Sequence, residues 1–380
     1  MLAKGIQLTL LMGPVVPLPA PRLVIEALDS VEVTTAAGTP SGFQLTFQFS
    51  SRSDLNTIFV IAGAQNTGPG TPPLRVMLLV TLNGTPQPLF DGVMTDIQVQ
   101  AGGAGSAGTV TLTGEDLTAV MDMIDWSGLP FPALPIEARV ALLCAKYAAF
   151  GLIPLVIPVL FPDVPIPIDR IPAQQGTDLE YISELADEVG YVFYVEPGPV
   201  PGTNIAYFGP QLKIGVPQPA LTIDMDALTN VESLSFSFAL IKSKLPIVFI
   251  QNQLTRAPIP IPIPKLNPLQ PPLGALPAPT AKLEIQKDTA MLNPMQAISR
   301  GLAVAGESQD AVGAKGSLNV LRYGRLLRAR GLVGVRGAGV AYDGLYFVES
   351  VTSSLKRGEF KQSFSLTRNG LVSITPRVPV

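Results

Sequence analysis

The chain has 380 residues, among them no histidine and a single cysteine, Cys144. Without imidazole there can be no Ser-His-Asp or Cys-His catalytic site, and one thiol allows neither a disulfide within the chain nor a Cys-rich metal site. Hydrophobic residues make up 47% and charged residues 14% of a chain whose net charge is −3. This balance predicts large apolar surfaces that partner proteins cover.

Alternating apolar and polar residues predict several short strands in the first 114 residues. The clearest is at residues 43–49, where Phe43, Leu45, Phe47 and Phe49 alternate with Gln and Thr. Further strands are predicted near residues 22–34, 58–63, 74–82, 90–99 and 109–113. Such a run is typical of a β-barrel or sandwich. The apolar run at residues 6–12 follows a single lysine and meets a Gly-Pro pair, so it does not predict a signal peptide.

Helices are predicted to gather in the middle of the chain, first at residues 115–124 and 135–150. The second places Ile136, Val140, Leu143, Cys144 and Tyr147 on one face, so Cys144 is interpreted as a small buried hydrophobe. The apolar run at residues 150–162 is about a dozen residues long and contains three prolines. It is too short and too interrupted to cross a membrane as a helix.

A capped helix that leads directly into a strand is the strongest local prediction. Thr177 and Glu180 have the spacing of a capping box, and Gly190 stands where a helix would end. An apolar stripe is formed by Leu179, Ile182, Leu185, Ala186 and Val189, opposite the acidic Glu180, Glu184, Asp187 and Glu188. Residues 191–195 then predict a mostly buried strand, so the unit is a helix folded back on a sheet.

Strands are predicted again after residue 217, with one helix at residues 294–305. The alternation of Pro and Ile from Pro258, and the prolines that follow it, exclude a helix and a central strand. Residues 256–281 are therefore predicted to form an extended inserted loop, or an arm that binds a partner. A terminal hairpin is predicted from Asp343, with its turn at Lys356, Arg357 and Gly358.

Charge is divided unevenly along the chain. Residues 1–240 hold 8 Lys and Arg against 22 Asp and Glu, a net charge of −14, and residues 241–380 hold 18 against 7, a net charge of +11. The positive charge is densest at residues 321–336, where the alternation up to residue 335 predicts a strand. Leucines and glycines flank these arginines, which favours a solvated or partner-facing strand, with nucleic-acid binding as the alternative. The candidates for an assembly interface are Arg322, Arg325, Arg328 and Arg330.

Two motifs that suggest chemistry have simpler interpretations. The glycines of residues 103–108 fit a dinucleotide-binding pattern, but a Thr/Val strand follows instead of a helix, so a hairpin connection is predicted. The carboxylates Glu115, Asp116, Asp122 and Asp125 lie along one short predicted helix, which favours a solvated face over an acid–base pair. We therefore predict no catalytic, cofactor-binding or metal-ligating residue.

Four segments, taken in order, resemble the central hub proteins of phage tails and contractile injection machines, the late-control D family. They are GEDLTAVMD from Gly114 with the helix ending AKYAAFGLIP, the capped helix and strand of residues 175–198, the strand that opens at Asn230, and the terminal hairpin from Asp343. This family is related to the hub part of the valine-glycine-repeat (VgrG) spike proteins of contractile injection systems.

The resemblance implies a mainly β fold with an α+β insert, in which two related β-barrel hub domains are separated by an α/β region. The first barrel would span residues 1–114, the α+β region residues 115–215, and the second barrel residues 216–380 with the Pro-rich loop at about 256–281. Three chains would close into a ring, whose six similar barrels match a three-fold spike to a six-fold tail tube.

The function implied is that of a structural baseplate hub, a homotrimer without enzymatic activity or cofactor, in a contractile phage tail or a phage-derived injection system. Its partners would be the tail tube protein, baseplate wedge proteins and a separate spike protein, since the chain stops soon after the terminal hairpin. No membrane insertion is expected, and nucleic acid would be met only as cargo in transit. The protein would be made in the bacterial cytoplasm and built into a virion tail or injection particle.

Two other classes of function stay open at this point. One is a secreted or surface β-sandwich that binds glycans or peptides, against which the missing secretion signal counts. The other is a glycosidase that uses carboxylates only, which would need a cleft lined by aromatic side chains. The chain has one tryptophan, Trp126, which is interpreted as a core or interface anchor.

Overall fold

A computed structural model describes residues 2–3, 5–49, 73–100, 108–159, 165–168, 171–241, 243–251, 258–263, 271–279, 282–285 and 294–375. Strands predominate, most of them in one large and mostly antiparallel sheet, while most of the helices belong to the middle of the chain or to a small unit near its C-terminal end. The predicted mainly β fold with an α+β insert is confirmed.

Antiparallel strands and one short helix make up the described residues of the first part of the chain. In chain order these elements are β1 Leu2–Ala3, β2 Ile6–Gly13, β3 Leu18–Pro19, α1 Arg22–Ala27, β4 Leu28–Ala36, β5 Gly42–Phe49, β6 Arg75–Leu82, β7 Thr85–Gln100 and β8 Gly108–Asp116. The main strands are ordered β2, β6, β7, β8, β5, β4 across the sheet. In β5 the predicted alternation is confirmed, since its apolar side chains are buried and those of Gln44 and Gln48 are exposed.

The strands predicted at residues 74–82, 90–99 and 109–113 are confirmed as β6, β7 and β8, and the one predicted at residues 58–63 lies outside the described residues. The strand predicted at residues 22–34 was wrong at its start, where α1 stands. Pro21 precedes this helix, and its carbonyl accepts hydrogen bonds from the amides of Val24 and Ile25. Because Val24 is buried in the sheet's core, helical packing overrides the strand pattern.

The middle of the chain is an α+β unit with its own core. Its elements are α2 Thr118–Met121, α3 Ile136–Ala145, a 3-10 turn Ala148–Phe150, β9 Leu152–Val156, α4 Asp178–Val189, β10 Val192–Pro197 and β11 Asn204–Gly209. The three strands are ordered β10, β11, β9, and β11 and β9 are parallel. Apolar side chains of α3 and α4, Cys144 among them, pack on this sheet.

Local signals explain both the success and the failure in this region. The capping box of α4 is confirmed: Thr177 Oγ1 accepts from the Glu180 amide at 3.2 Å, and Glu180 Oε2 accepts from the Thr177 amide at 3.0 Å. Gly190 ends the helix at a φ of 71°.

The helix predicted at residues 115–124 is much shorter, because Glu115 and Asp116 end strand β8. Asp116 Oδ1 accepts from the amide and hydroxyl of Thr118, which delays the helix start.

The last part of the chain returns to the large sheet. Its elements are β12 Gln218–Thr222, a 3-10 turn Asp226–Leu228, β13 Val231–Phe238, β14 Lys244–Gln251, β15 Pro258–Pro262, β16 Gly274–Pro277, β17 Lys282–Ile285, α5 Pro294–Ser308, β18 Val312–Asn319, α6 Val320–Tyr323, β19 Leu332–Arg336, β20 Gly344–Lys356, β21 Glu359–Arg368 and β22 Gly370–Ser373. The predicted terminal hairpin is confirmed as β20 and β21.

Among the strands that the structure describes, one pair joins the two β regions into one sheet. Strand β4 runs antiparallel to β20, from the pair Ser30–Lys356 to the pair Ala36–Ser350. The sheet then continues from β20 through β21 and β18 to β13. The same hydrophobic core contains Val31 of β4 and Val351 of β20. The predicted domain boundaries at residues 114 and 215 stay predictions.

The proline-rich stretch is more structured than an extended loop. Strand β15 pairs with β14 at the edge of a small sheet ordered β15, β14, β17, and an edge is where a strand tolerates proline. Helix α5, which confirms the predicted helix at residues 294–305, packs on this sheet around the buried Val248, Ile263 and Ala305. Residues 252–257, 264–270 and 280–281 of this stretch lie outside the described residues.

Candidate functional site

The predicted arginine-rich strand is largely a short helix and a loop, which we call the arginine loop, residues 320–331. Asn319 Oδ1 accepts from the Leu321 amide at 3.0 Å and begins α6, and Gly324 ends it at a φ of 79°. The strand prediction was wrong up to residue 331 and right from Leu332 onwards. Leu326 and Leu327 are both buried, which a simple alternation of faces does not allow.

Two glutamines hold the backbone of the arginine loop. Gln362 accepts from the Leu327 amide at 2.9 Å and donates to the Leu327 carbonyl at 3.0 Å. Gln218 accepts from the Arg328 amide at 2.9 Å and donates to the Arg328 carbonyl at 2.8 Å. Each side-chain amide thus replaces a strand partner for one loop residue. The Arg328 backbone is therefore fixed, while its side chain is exposed.

The structure separates the four candidate arginines into two groups. Arg322, Arg325 and Arg328 are exposed, and none of them makes an ion pair with a described residue. The side chain of Arg330 is only 6% exposed. Its backbone has a φ of 63°, a left-handed conformation that turns the chain towards β19.

Arg330 lies where the two β regions and the α+β unit meet. Its guanidinium stacks 4.0 Å from the ring centroid of Tyr194 in β10, and its Nη2 donates to the carbonyl of Ala36 in β4 at 2.7 Å. Its Nη1 lies 3.7 Å from Glu196 Oε2, also in β10. Burial lowers the pKa of Arg330 and raises the pKa of Glu196, and the attraction between the opposite charges opposes both shifts.

A cavity of about 350 Å³ lies beside Arg330 at this junction. The first β region contributes Thr35 and Leu89, the α+β unit contributes Glu196, and the last β region contributes Arg328 and Val351. Its wall is partly apolar and partly polar, and Arg330 lines it as well. A concave site of this size and composition suits a small ligand or the end of a chain.

A second buried polar cluster links the first β region to the α+β unit. Arg75 donates to Asp91 through Nε and Nη2, at 2.7 and 2.6 Å, and both side chains are at most 3% exposed. Arg75 Nη1 donates to the carbonyl of Val15, and the Asn204 amide of β11 donates to Asp91 at 2.8 Å. The two-bond ion pair joins β6 to β7, and the hydrogen bond from Asn204 ties the pair to the middle sheet.

The carboxylates considered for acid–base chemistry do not form one site. Asp125 is exposed and accepts hydrogen bonds from Ser127, and Asp122 accepts from the Thr177 hydroxyl. Asp116 is buried and accepts from the Ser41 amide as well as from Thr118. Within the described ranges, no three His, Cys, Asp or Glu side chains lie close enough to hold a metal ion. No helix of the described part is long and apolar enough to cross a membrane.

Trp126 and Cys144 have different environments. Trp126 is 42% exposed, and the Lys146 ammonium lies 5.0 Å from its ring centroid. The predicted burial of Cys144 is confirmed. Desolvation, together with the nearby charge of Asp178, raises the pKa of this thiol from 9.0 to about 12.

Comparison with solved structures decides the fold class. A tail protein from Neisseria meningitidis MC58 superposes with a TM-score of 0.62 at 14% identity, over 97% of this chain and 98% of that one. The 43 kDa tail protein of prophage MuSo2 from Shewanella oneidensis gives 0.60 at 14% identity, over 96% and 98%. The chain has the fold of phage tail proteins. No family model and no curated protein matches its sequence.

The same fold extends to a chain of a VgrG complex. A chain of the Francisella PdpA-VgrG complex superposes with a TM-score of 0.55 at 8% identity, over 99% of this chain and 60% of that one. The resemblance to phage tail and VgrG-related proteins drawn from the four segments is thus confirmed for the fold, which these chains share despite having little sequence in common.

Sequence reasoning named Arg330 as an interface candidate, but it missed the burial of that side chain and the other residues that build the junction. Gln362 had a usable signal, because it stands between Phe360 and Phe364 on the buried face of β21. A polar side chain in an apolar row needs a hydrogen-bonding partner. Arg330 had no such signal, since its partners Ala36 and Tyr194 are far from it in the sequence.

Proposed function

We propose that this protein is a structural baseplate hub of a contractile phage tail or a phage-derived injection system. The observation that carries the proposal is its end-to-end similarity to two phage tail proteins, which leaves almost no part of either chain unmatched. We infer a structural rather than a catalytic role, in a virion tail or injection particle.

In the proposed assembly three copies form a ring that adapts the symmetry of the tail tube to that of a separate spike protein, with baseplate wedge proteins around it. Exposed apolar side chains support extensive contacts with other chains. Edge strand β9 exposes Ile153 and Leu155, and Ile168, Val216 and Val340 are each more than four-fifths exposed. In a closed ring, side chains of this kind would be covered by neighbouring copies.

Light scattering on the purified protein tests the ring. The chain mass is 40.1 kDa, so a trimer has a mass of about 120 kDa, and we expect this mass at micromolar concentration, with a closed symmetry. A stable monomer at that concentration would contradict the trimeric adaptor. The fold assignment would survive such a result, because it does not depend on the oligomeric state.

We further propose that Arg322, Arg325 and Arg328 belong to an assembly interface. They are exposed on one short loop of the positively charged C-terminal part, and complementary potentials set the orientation and rate of docking. The partner surface would be acidic, on the N-terminal part of a neighbouring copy or on a tail protein. Arg330 would support this interface indirectly, by fixing the loop at the junction.

A further inference from the structure

We propose that the cavity beside Arg330 binds the C-terminal carboxylate of a peptide chain whose last residue is apolar. This inference goes beyond the proposed function, because it concerns one ligand site in the isolated protein. It depends on three observations: an unused buried donor on Arg330, the balance of charge around the cavity, and the apolar part of its wall.

The first observation is the hydrogen bonding of Arg330. Nη2 donates to the carbonyl of Ala36, whereas Nη1 is 3.7 Å from Glu196, which is longer than a hydrogen bond. Nε is buried and has no acceptor among the described residues. A buried guanidinium with unused donors is costly. An anion in the adjoining cavity would supply the acceptor.

The second observation is the charge of the lining. Arg328 and Arg330 contribute two positive charges and Glu196 one negative charge, which leaves a single net positive charge for a ligand. A carboxylate carries one negative charge and fits the planar guanidinium fork. A phosphate group carries more negative charge than the lining balances, so Glu196 repels it more strongly than it repels a carboxylate.

The third observation is the shape and wall of the cavity. Arg328 is exposed and the Glu196 side chain is 38% exposed, so the cavity opens to solvent beside them. Leu327, Val351 and Arg330 are buried deeper in the wall. The C-terminal residue of a peptide can carry both the free carboxylate and an apolar side chain. An Asp or Glu side chain brings a carboxylate without that apolar group.

Ligand-observed saturation-transfer NMR on the full-length protein tests the proposal. The probe is acetyl-Ala-Val with a free carboxylate, and the matched probe is its C-terminal amide. We expect the acid to bind and the amide to bind at least about tenfold more weakly, the factor that corresponds to one lost charge-assisted hydrogen bond. Arg328→Gln should weaken binding of the acid by a similar factor. The control Arg22→Gln, at a 91% exposed arginine outside both the cavity lining and the arginine loop, should have no effect.

Four results would overturn the proposal. Equal binding of the acid and the amide would show an apolar pocket without carboxylate recognition. Displacement of the acid by inorganic phosphate at a concentration below that of the acid would show a phosphate site. Equal binding of acetyl-Ala-Glu-amide would show that a side-chain carboxylate suffices. If none of these probes binds while circular dichroism shows that the protein is folded, the cavity binds neither a carboxylate nor a phosphate.

Discussion

Replacing Arg75 with methionine tests how the first β region is held to the α+β unit. In the folded protein the Arg75 guanidinium makes two short hydrogen bonds to Asp91, and both side chains are almost fully buried. Arg75→Met preserves much of the side-chain volume but removes the charge. Asp91 would then keep the amide of Asn204 as its hydrogen-bonding partner, and its buried negative charge would be uncompensated.

The expected loss is large because the remaining charge stays away from water. Breaking a buried ion pair by removing one partner costs about 3–5 kcal/mol. The double variant Arg75→Met/Asp91→Leu removes the buried charge but leaves the Asn204 amide without its acceptor, which costs about 1–3 kcal/mol. We therefore expect the double variant to be more stable than the single variant.

Urea unfolding, followed by the fluorescence of the single tryptophan and by circular dichroism, measures these differences. Arg22→Met is the matched control, because the Arg22 side chain is 91% exposed and pairs with Glu26 four residues away. An exposed pair of this kind contributes little to stability, because water and salt screen it. Equal urea midpoints for Arg75→Met and Arg22→Met would refute the stabilising role assigned to the Arg75–Asp91 pair.

Three further predictions concern the core, the thiol and the arginine loop. Leu185 is 3% exposed, so Leu185→Asp buries a charge and should lower the free energy of unfolding by several kcal/mol. Glu184→Ala, on the exposed face of the same helix, should change the free energy of unfolding by about 0.5 kcal/mol or less. Equal melting temperatures for the two variants would show that Leu185 does not lie on the buried face of α4. Cys144, with its pKa of about 12, should carry roughly a thousandfold less thiolate at pH 8 than a thiol of pKa 9.0, so a thiol reagent should label it slowly in native protein and fully in urea. Fast labelling of native protein would contradict its burial. Reversing Arg322 and Arg325 to Glu should leave the isolated protein folded but block its incorporation into particles, and unchanged particle yields would reject their docking role.

Local signals account for what the sequence could predict. The helix α4 needs only neighbours in the sequence: the cap from Thr177 and Glu180, the stop at Gly190, and an apolar stripe that ends on the core. The same holds for the terminal hairpin, whose turn at Gly358 has a φ of 83° and favours glycine. These elements could be predicted because their determinants are short-ranged.

The junction could not be predicted because its determinants are distant in the sequence. Residue 36 meets residue 330 across the pairing of β4 with β20, and neither segment alone indicates that pairing. The arginine loop alternates like a strand, but its backbone is held by two side-chain amides, from Gln218 and Gln362. Tertiary contacts of this kind override local pattern. The four candidate arginines therefore could be found as a group, but not divided into three exposed side chains and one buried side chain.

The most direct measurement is a cryo-electron microscopy reconstruction of the tail or injection particle made by a bacterium that encodes this chain. If the chain is the baseplate hub, three copies of it lie around the particle axis, between the tail tube and the spike. Density for complete particles in which the tube and the spike meet without this chain, or in which it occupies another position, would contradict the proposal that it is the baseplate hub.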